Sequence, residues 1–74
     1  MRELLKQERV KKGLTQQEIA NLVGISRVHY TQIENNANNK NPSFDVAVKI
    51  KKVLGYFNDD LFLVSDVPNK NKSL

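Results

Sequence analysis

The polar side chains between Gln16 and Asn35, in the run QQEIANLVGISRVHYTQIEN, are suited to forming hydrogen bonds and not to breaking covalent ones. No carboxylate pair, no nucleophile beside a base and no phosphate-cradling Gly loop stands in a context that could support catalysis. His29 is the single histidine and there is no Cys, so a metal site has no second soft ligand to build on. The run offers amides, hydroxyls and one guanidinium. Arg27 is its only full positive charge, and residues 16–35 sum to −1. A surface of this kind reads a partner through amides and shape more than through charge. If that partner is DNA, attraction to the phosphates has to come from the flanks. The flanks are basic: residues 1–12 carry five basic and two acidic side chains, and residues 36–54 carry four and one.

Two short amphipathic helices, joined at Gly24, must position these side chains. Ile19, Ala20 and Val23 share one face of the first; Tyr30 and Ile33 share a face of the second, with Ile25 in the turn. Thr15 to Glu18 spells a capping box, with Leu14 and Ile19 as its hydrophobic staple. Ser26 is a good N-cap for the second helix, with Ile25 and Tyr30 as staple, although His29 stands where a box wants Glu or Gln. Ala20 is small where the helices cross, and Gly24 can adopt the left-handed conformation that ends the first. A Gly-containing turn of three or four residues between two short helices is the signature of a helix-turn-helix.

The flanks supply the remaining core. Arg2 to Lys12 reads as a helix with Leu4, Leu5 and Val10 as its apolar members, Glu8 four residues before Lys12 as a modest supporting pair, and Gly13 as its stop. On these residues alone, Arg9 is a solvated surface charge or a structural one. Asn36 can end the second of the paired helices in the left-handed conformation, and the Asn-rich stretch to Pro42 is a surface loop. Ser43 caps a further helix ending at Gly55, with Phe44, Ala47, Ile50 and Leu54 as the buried stripe, Val46 and Val53 beside it, and Lys49, Lys51 and Lys52 outward. Asn58 or Asp59 starts a short last helix containing Leu61 and Phe62. Leu63 to Val67 is a possible short strand. The expected organisation is one helix-turn-helix domain over residues 1–64 and a polar tail over residues 65–74.

A chain of 74 residues buries a modest core and has little space for an enclosed substrate cavity. The longest apolar run, Leu61 to Val64, is far short of a membrane span, and charges interrupt any signal-like region near the start. The expectation is a soluble, cytoplasmic protein. The formal charge of +4 mildly favours a polyanionic partner.

From Leu14 to Phe62 the chain resembles the Cro and phage-repressor class of helix-turn-helix proteins, the XRE family. The residues that carry the resemblance are LTQQEIANLVGISR, then QIEN, NPSF, and LG with DDLF, in that order. The resemblance implies an all-α bundle of five helices whose third, Arg27 to Asn35, lies in the DNA major groove. By position, Arg27, Val28 and Gln32 match the family's base-reading residues. Their chemistry suits the role: Arg pairs with guanine, Gln with adenine, and Val28 offers apolar surface to a thymine methyl. Gln16 matches a residue that grips phosphate from a helix N-terminus. Gln17, Ser26, His29, Thr31, Asn36 and Lys40 fall near the DNA backbone. Arg9 and Glu34 match a pair that the family often joins as a partly buried salt bridge.

The resemblance implies a sequence-specific regulator of bacterial, plasmid or phage origin, acting as a repressor on an operator, with a homodimer as the expected assembly and no enzyme activity, cofactor or small-molecule effector. The alternative is a protein-interaction module of the same fold, such as an antitoxin or regulatory subunit. Three departures from the family pattern stand out: a loop about two residues longer after Asn35, Lys51 in place of a small apolar residue, and Phe57 where a helix cap is usual. An exposed Phe57 near Phe62 and Leu63 would mark a subunit contact.

Overall fold

Four α-helices and a closing 3-10 turn follow one another, with no strand among the described residues: α1 Glu3–Lys11, α2 Gln16–Val23, α3 Arg27–Asn35, α4 Phe44–Leu54, then the 3-10 turn Asp59–Phe62. The computed structural model describes residues 1–37 and 41–64. Lys40 and residues 65–74, with the tail expected there, lie outside them.

Side chains at the helix starts fix the boundaries. Thr15 Oγ1 accepts from the Glu18 N–H (3.0 Å) while Glu18 Oε1 accepts from the Thr15 N–H (2.8 Å), so both partners of the box are in place. Ser26 and Ser43 cap α3 and α4, their hydroxyls accepting from His29 N–H (3.0 Å) and Val46 N–H (3.3 Å). Asn36 ends α3 at φ 56°. It is the only non-glycine residue with positive φ among those described, and an Asn side chain lessens the strain there.

The core is a single cluster. α2 packs on α3 and α4, while α1 packs on α3 and on the 3-10 turn. Ile19, Ala20 and Val23 of α2 meet Tyr30 and Ile33 of α3, and Leu5, Ile50, Leu54 and Leu61 complete the fully buried set. Leu4, Leu14, Ile25, Val46 and Val53 close it from outside.

Five sequence expectations need correction. The fifth helix is a single 3-10 turn, because only four residues lie between the Asn58 cap and the extended Leu63, too few to nucleate an α-helix. Of the proposed strand, Leu63 and Val64 form none; its remaining residues fall outside those described. Val10 is 57% exposed. The inward face of α1 runs through Leu5 and Arg9, and Val10 lies about 140° around the helix from Leu5. Phe44 is 83% exposed although placed in the buried stripe. It is the first residue of α4, and a helical side chain leans over the turn before its own Cα; here that turn is the incoming loop, not the core. Lys51 is mostly buried instead of outward, and its ammonium pairs with Asp59 of the 3-10 turn.

Candidate nucleic-acid interface

The geometry of the α2–α3 pair begins at its turn. Gly24 sits at φ 86°, and the N–H groups of Gly24 and Ile25 both donate to Ala20 O, at 2.8 and 3.0 Å. That bend swings α3 across α2, and fully buried Ala20 lets the two helices approach closely. With Ile33 and Tyr30 turned inward, Arg27 and Val28 stand on the outer face, with Gln32 half-buried one turn from Val28. None of these three side chains has a hydrogen bond or ion pair among the described residues.

Beneath that face lies a buried polar network centred on Glu34. The Glu34 carboxylate is fully buried and accepts from Arg9 Nε (2.8 Å) and Nη2 (3.2 Å), Tyr30 Oη (2.7 Å) and Gln16 Nε2 (3.1 Å). A buried charge is tolerated only when it is paired and its lone pairs are filled, and four donors do this here. Burial pushes the Glu34 carboxyl up, but the hydrogen bonds from Arg9, Tyr30 and Gln16 more than offset it, so it lies below its ordinary value. The hydrogen bond to Glu34 outweighs desolvation and raises the Arg9 guanidinium. Burial, then the same carboxylate, raises the Tyr30 phenol, which stays a hydrogen-bond donor.

This network also orients the surface. A carboxylate can only accept, so the Gln16 Nε2 faces Glu34 and leaves Oε1 for the Thr31 hydroxyl, at 3.1 Å. Gln16 therefore ties the first turn of α2 to the middle of α3, with a second amide N–H still available. Gln17 bonds along its own helix to Asn21 Oδ1 at 2.9 Å. The Ser26 hydroxyl is used in its cap and Asn36 forms the bend after α3. His29 is half-buried between Val28 and Tyr30. The side chains of Gln16, Thr31 and Glu34 are thus brought together, whereas Val28 and Gln32 lie one turn apart, with Arg27 beside Val28 at the start of the helix, and none of the three touches another through polar groups.

A model of the helix-turn-helix family matches residues 5–56. The chain belongs to the XRE-type helix-turn-helix family. Among its relatives, it is 42% identical over 72 residues to YqaF of Bacillus subtilis (strain 168), named as an uncharacterized HTH-type transcriptional regulator, covering 97% of this chain and 90% of that one. It is 36% identical over 66 residues to an uncharacterized HTH-type transcriptional regulator of Archaeoglobus fulgidus, covering 89% and 91%. No solved structure gives a significant match. Both helix-turn-helix relatives are thus named as transcriptional regulators, a non-enzymatic class. Among the described residues of this helix-turn-helix chain no helix is long and apolar enough to cross a membrane, and no cluster of three or more His, Cys, Asp or Glu could hold a metal.

Two contributors escape a reading of the helix-turn-helix sequence. Tyr30 is a core aromatic in that reading, but its hydroxyl is one of the four donors to Glu34; the spacing of four residues on one helix was the available signal. Arg2 is 1% exposed and bonds to three separate segments. Nothing in its local sequence distinguishes it from a surface arginine at a helix start.

Proposed function

We propose that this regulator binds a specific operator in double-stranded DNA and represses transcription by occupying it. The observation that carries the reading is the outer face of α3, where Arg27, Val28 and Gln32 have no polar partner within the described chain while the residues one turn away are fully engaged. Arg27 would take guanine O6 and N7, Gln32 an adenine edge and Val28 a thymine methyl. Gln16, with its free amide N–H at the start of α2, would donate to a phosphate, and Gln17, Ser26, His29, Thr31, Asn36 and Lys40 would border the backbone. Such a protein works beside the chromosome, in the cytoplasm of a bacterium, or on a plasmid or phage genome.

A single helix touches only a few base pairs, so we read the active species as a two-fold dimer on a pseudo-palindrome, its half-sites about 10 base pairs apart. Phe57 and Leu63, 69% and 67% exposed, are the apolar residues that support a subunit contact near the 3-10 turn.

Selection of bound duplexes from a random pool, followed by titration at several salt concentrations, tests the reading. A recovered consensus bound at least about a thousandfold more tightly than random duplex is the expected result. Recovery of no consensus, with equal affinity for all sequences, would return the protein to the class of protein-interaction modules.

A further inference from the structure

Thr31 lies in the middle of α3, and its hydroxyl reaches another helix. A threonine hydroxyl within a helix commonly donates to the carbonyl one turn back. This one donates instead to Gln16 Oε1, on the first residue of α2, at 3.1 Å.

The polarity of each bond in this relay is fixed by the one before it. The Glu34 carboxylate can only accept, so it holds one Gln16 N–H at 3.1 Å and turns the amide oxygen to Thr31. An amide oxygen also only accepts, so the proton between Gln16 and Thr31 is that of the hydroxyl. A hydroxyl has a single proton to donate. With that proton committed to Gln16, Thr31 has only lone pairs left, and a phosphate oxygen, itself an acceptor, can form no hydrogen bond with them. The Gln16 amide keeps a second N–H, which has no partner among the described residues.

Holding both ends of the amide matters for a side chain of this length. A free glutamine loses much rotamer freedom when it is fixed against a ligand, and restraint within the folded protein removes that cost from the binding step. Gln16 is half-buried, and the Glu34 bond alone would leave its oxygen end unrestrained. We propose that Thr31 is a positioning residue for phosphate binding: it holds the Gln16 amide with the second N–H available to a DNA phosphate, and gives that phosphate no hydrogen bond of its own. The inference rests on the reading of Gln16 as a phosphate donor.

The test uses the full chain and its selected operator, synthesised with one phosphate at a time replaced by a neutral methylphosphonate. Gln16 is uncharged, so this replacement, and not the salt dependence, reports its contact. Affinities are measured for the wild type, Gln16→Ala, Thr31→Val, Thr31→Ser and the double variant Gln16→Ala with Thr31→Val, at a temperature where circular dichroism shows each to be folded. At least one phosphate should be coupled to Gln16, its replacement weakening the wild type about tenfold more than it weakens Gln16→Ala. Thr31→Val keeps the shape of the side chain without the donor, and should reduce that coupling to about threefold or less. Thr31→Ser, which keeps the hydroxyl, should restore it. The preferred bases and the response at the other phosphates should remain those of the wild type. In the double variant, the loss of the hydroxyl should add nothing to the loss of Gln16.

Full coupling in a folded Thr31→Val overturns the inference. So does a further loss in the double variant, which would mean that Thr31 meets the DNA directly. Should Thr31→Val fail to fold, Thr31→Ala is judged by the same criterion. A wild type that binds its operator with no phosphate coupled to Gln16 overturns the inference and leaves the operator reading standing, whereas a wild type that binds no duplex removes both.

Discussion

Arg9 and Glu34 join α1 to α3 through two charge-assisted hydrogen bonds, Nε to Oε2 at 2.8 Å and Nη2 to Oε1 at 3.2 Å. A third guanidinium donor, Nη1, reaches Leu14 O at 2.7 Å just before the capping box. Arg9 thereby fixes α3 and the approach to α2 relative to α1. Removing it would leave a fully buried carboxylate with only Tyr30 and Gln16 as donors. Arg9→Ala should therefore destabilise the fold by about 3 kcal/mol or more. Lys12→Ala, at an exposed position, should change stability by less than about 0.5 kcal/mol. Urea midpoints compare the two, and equal midpoints would return Arg9 to the role of a surface charge.

Acid should expose the same pair. The folded Glu34 carboxyl lies below its ordinary value, so on acidification the unfolded chain takes up this proton first. The contribution is complete above the unfolded value of about 4.3 and is lost as pH falls from there through the folded value. Glu34→Gln removes the titrating group, so its stability should fall less steeply than that of the wild type between about pH 5 and pH 3. Parallel curves for the two proteins would contradict the assignment.

Arg27→Ala and Gln32→Ala should each lower affinity for the selected operator by roughly 1 to 3 kcal/mol. Melting temperatures should stay near that of the wild type, because neither side chain has a polar partner to lose. Fluorescence anisotropy on operator and random duplex separates the two effects. If both variants bind the operator like the wild type, the assignment of α3 to the groove is wrong.

Sedimentation of the operator complex should show two chains per site. Phe57→Ser or Leu63→Ser should weaken that assembly while leaving the monomer folded, as both side chains are exposed. A complex of one chain on a site lacking internal symmetry would remove the dimer, and assembly unaffected by either change would remove only the proposed surface.

How far the structure could be read from the residues depended on the range of the interactions. Thr15, Ser26, Ser43, Gly24 and Asn36 set their helix ends through contacts within a few residues, and such contacts are written locally. Ile19, Ala20, Val23, Tyr30 and Ile33 were also legible, since helical periodicity alone turns them to one side. Phe44, Val10 and Lys51 depart from the helical pattern because their burial depends on which neighbours the tertiary fold brings up, and periodicity does not report that. Arg2 was invisible for the same reason in stronger form: Ile33, Asn41 and Phe62, to which its guanidinium donates, lie more than thirty residues away. Arg9 and Glu34 could be paired only through family resemblance, as neither position alone implies the other.

The division of α3 into two sides has a consequence for how the protein can change over generations. Glu34, Tyr30 and Ile33 are fully buried, with Glu34 bonded to Arg9 of α1 and to Tyr30, and the Ile33 carbonyl bonded to Arg2, so substitution there disturbs stability. The side chains of Arg27, Val28 and Gln32 have no polar partner inside the described chain. Mutations at these three positions can accumulate almost without a folding penalty, so a duplicated copy could acquire a new target while keeping its ancestor's scaffold.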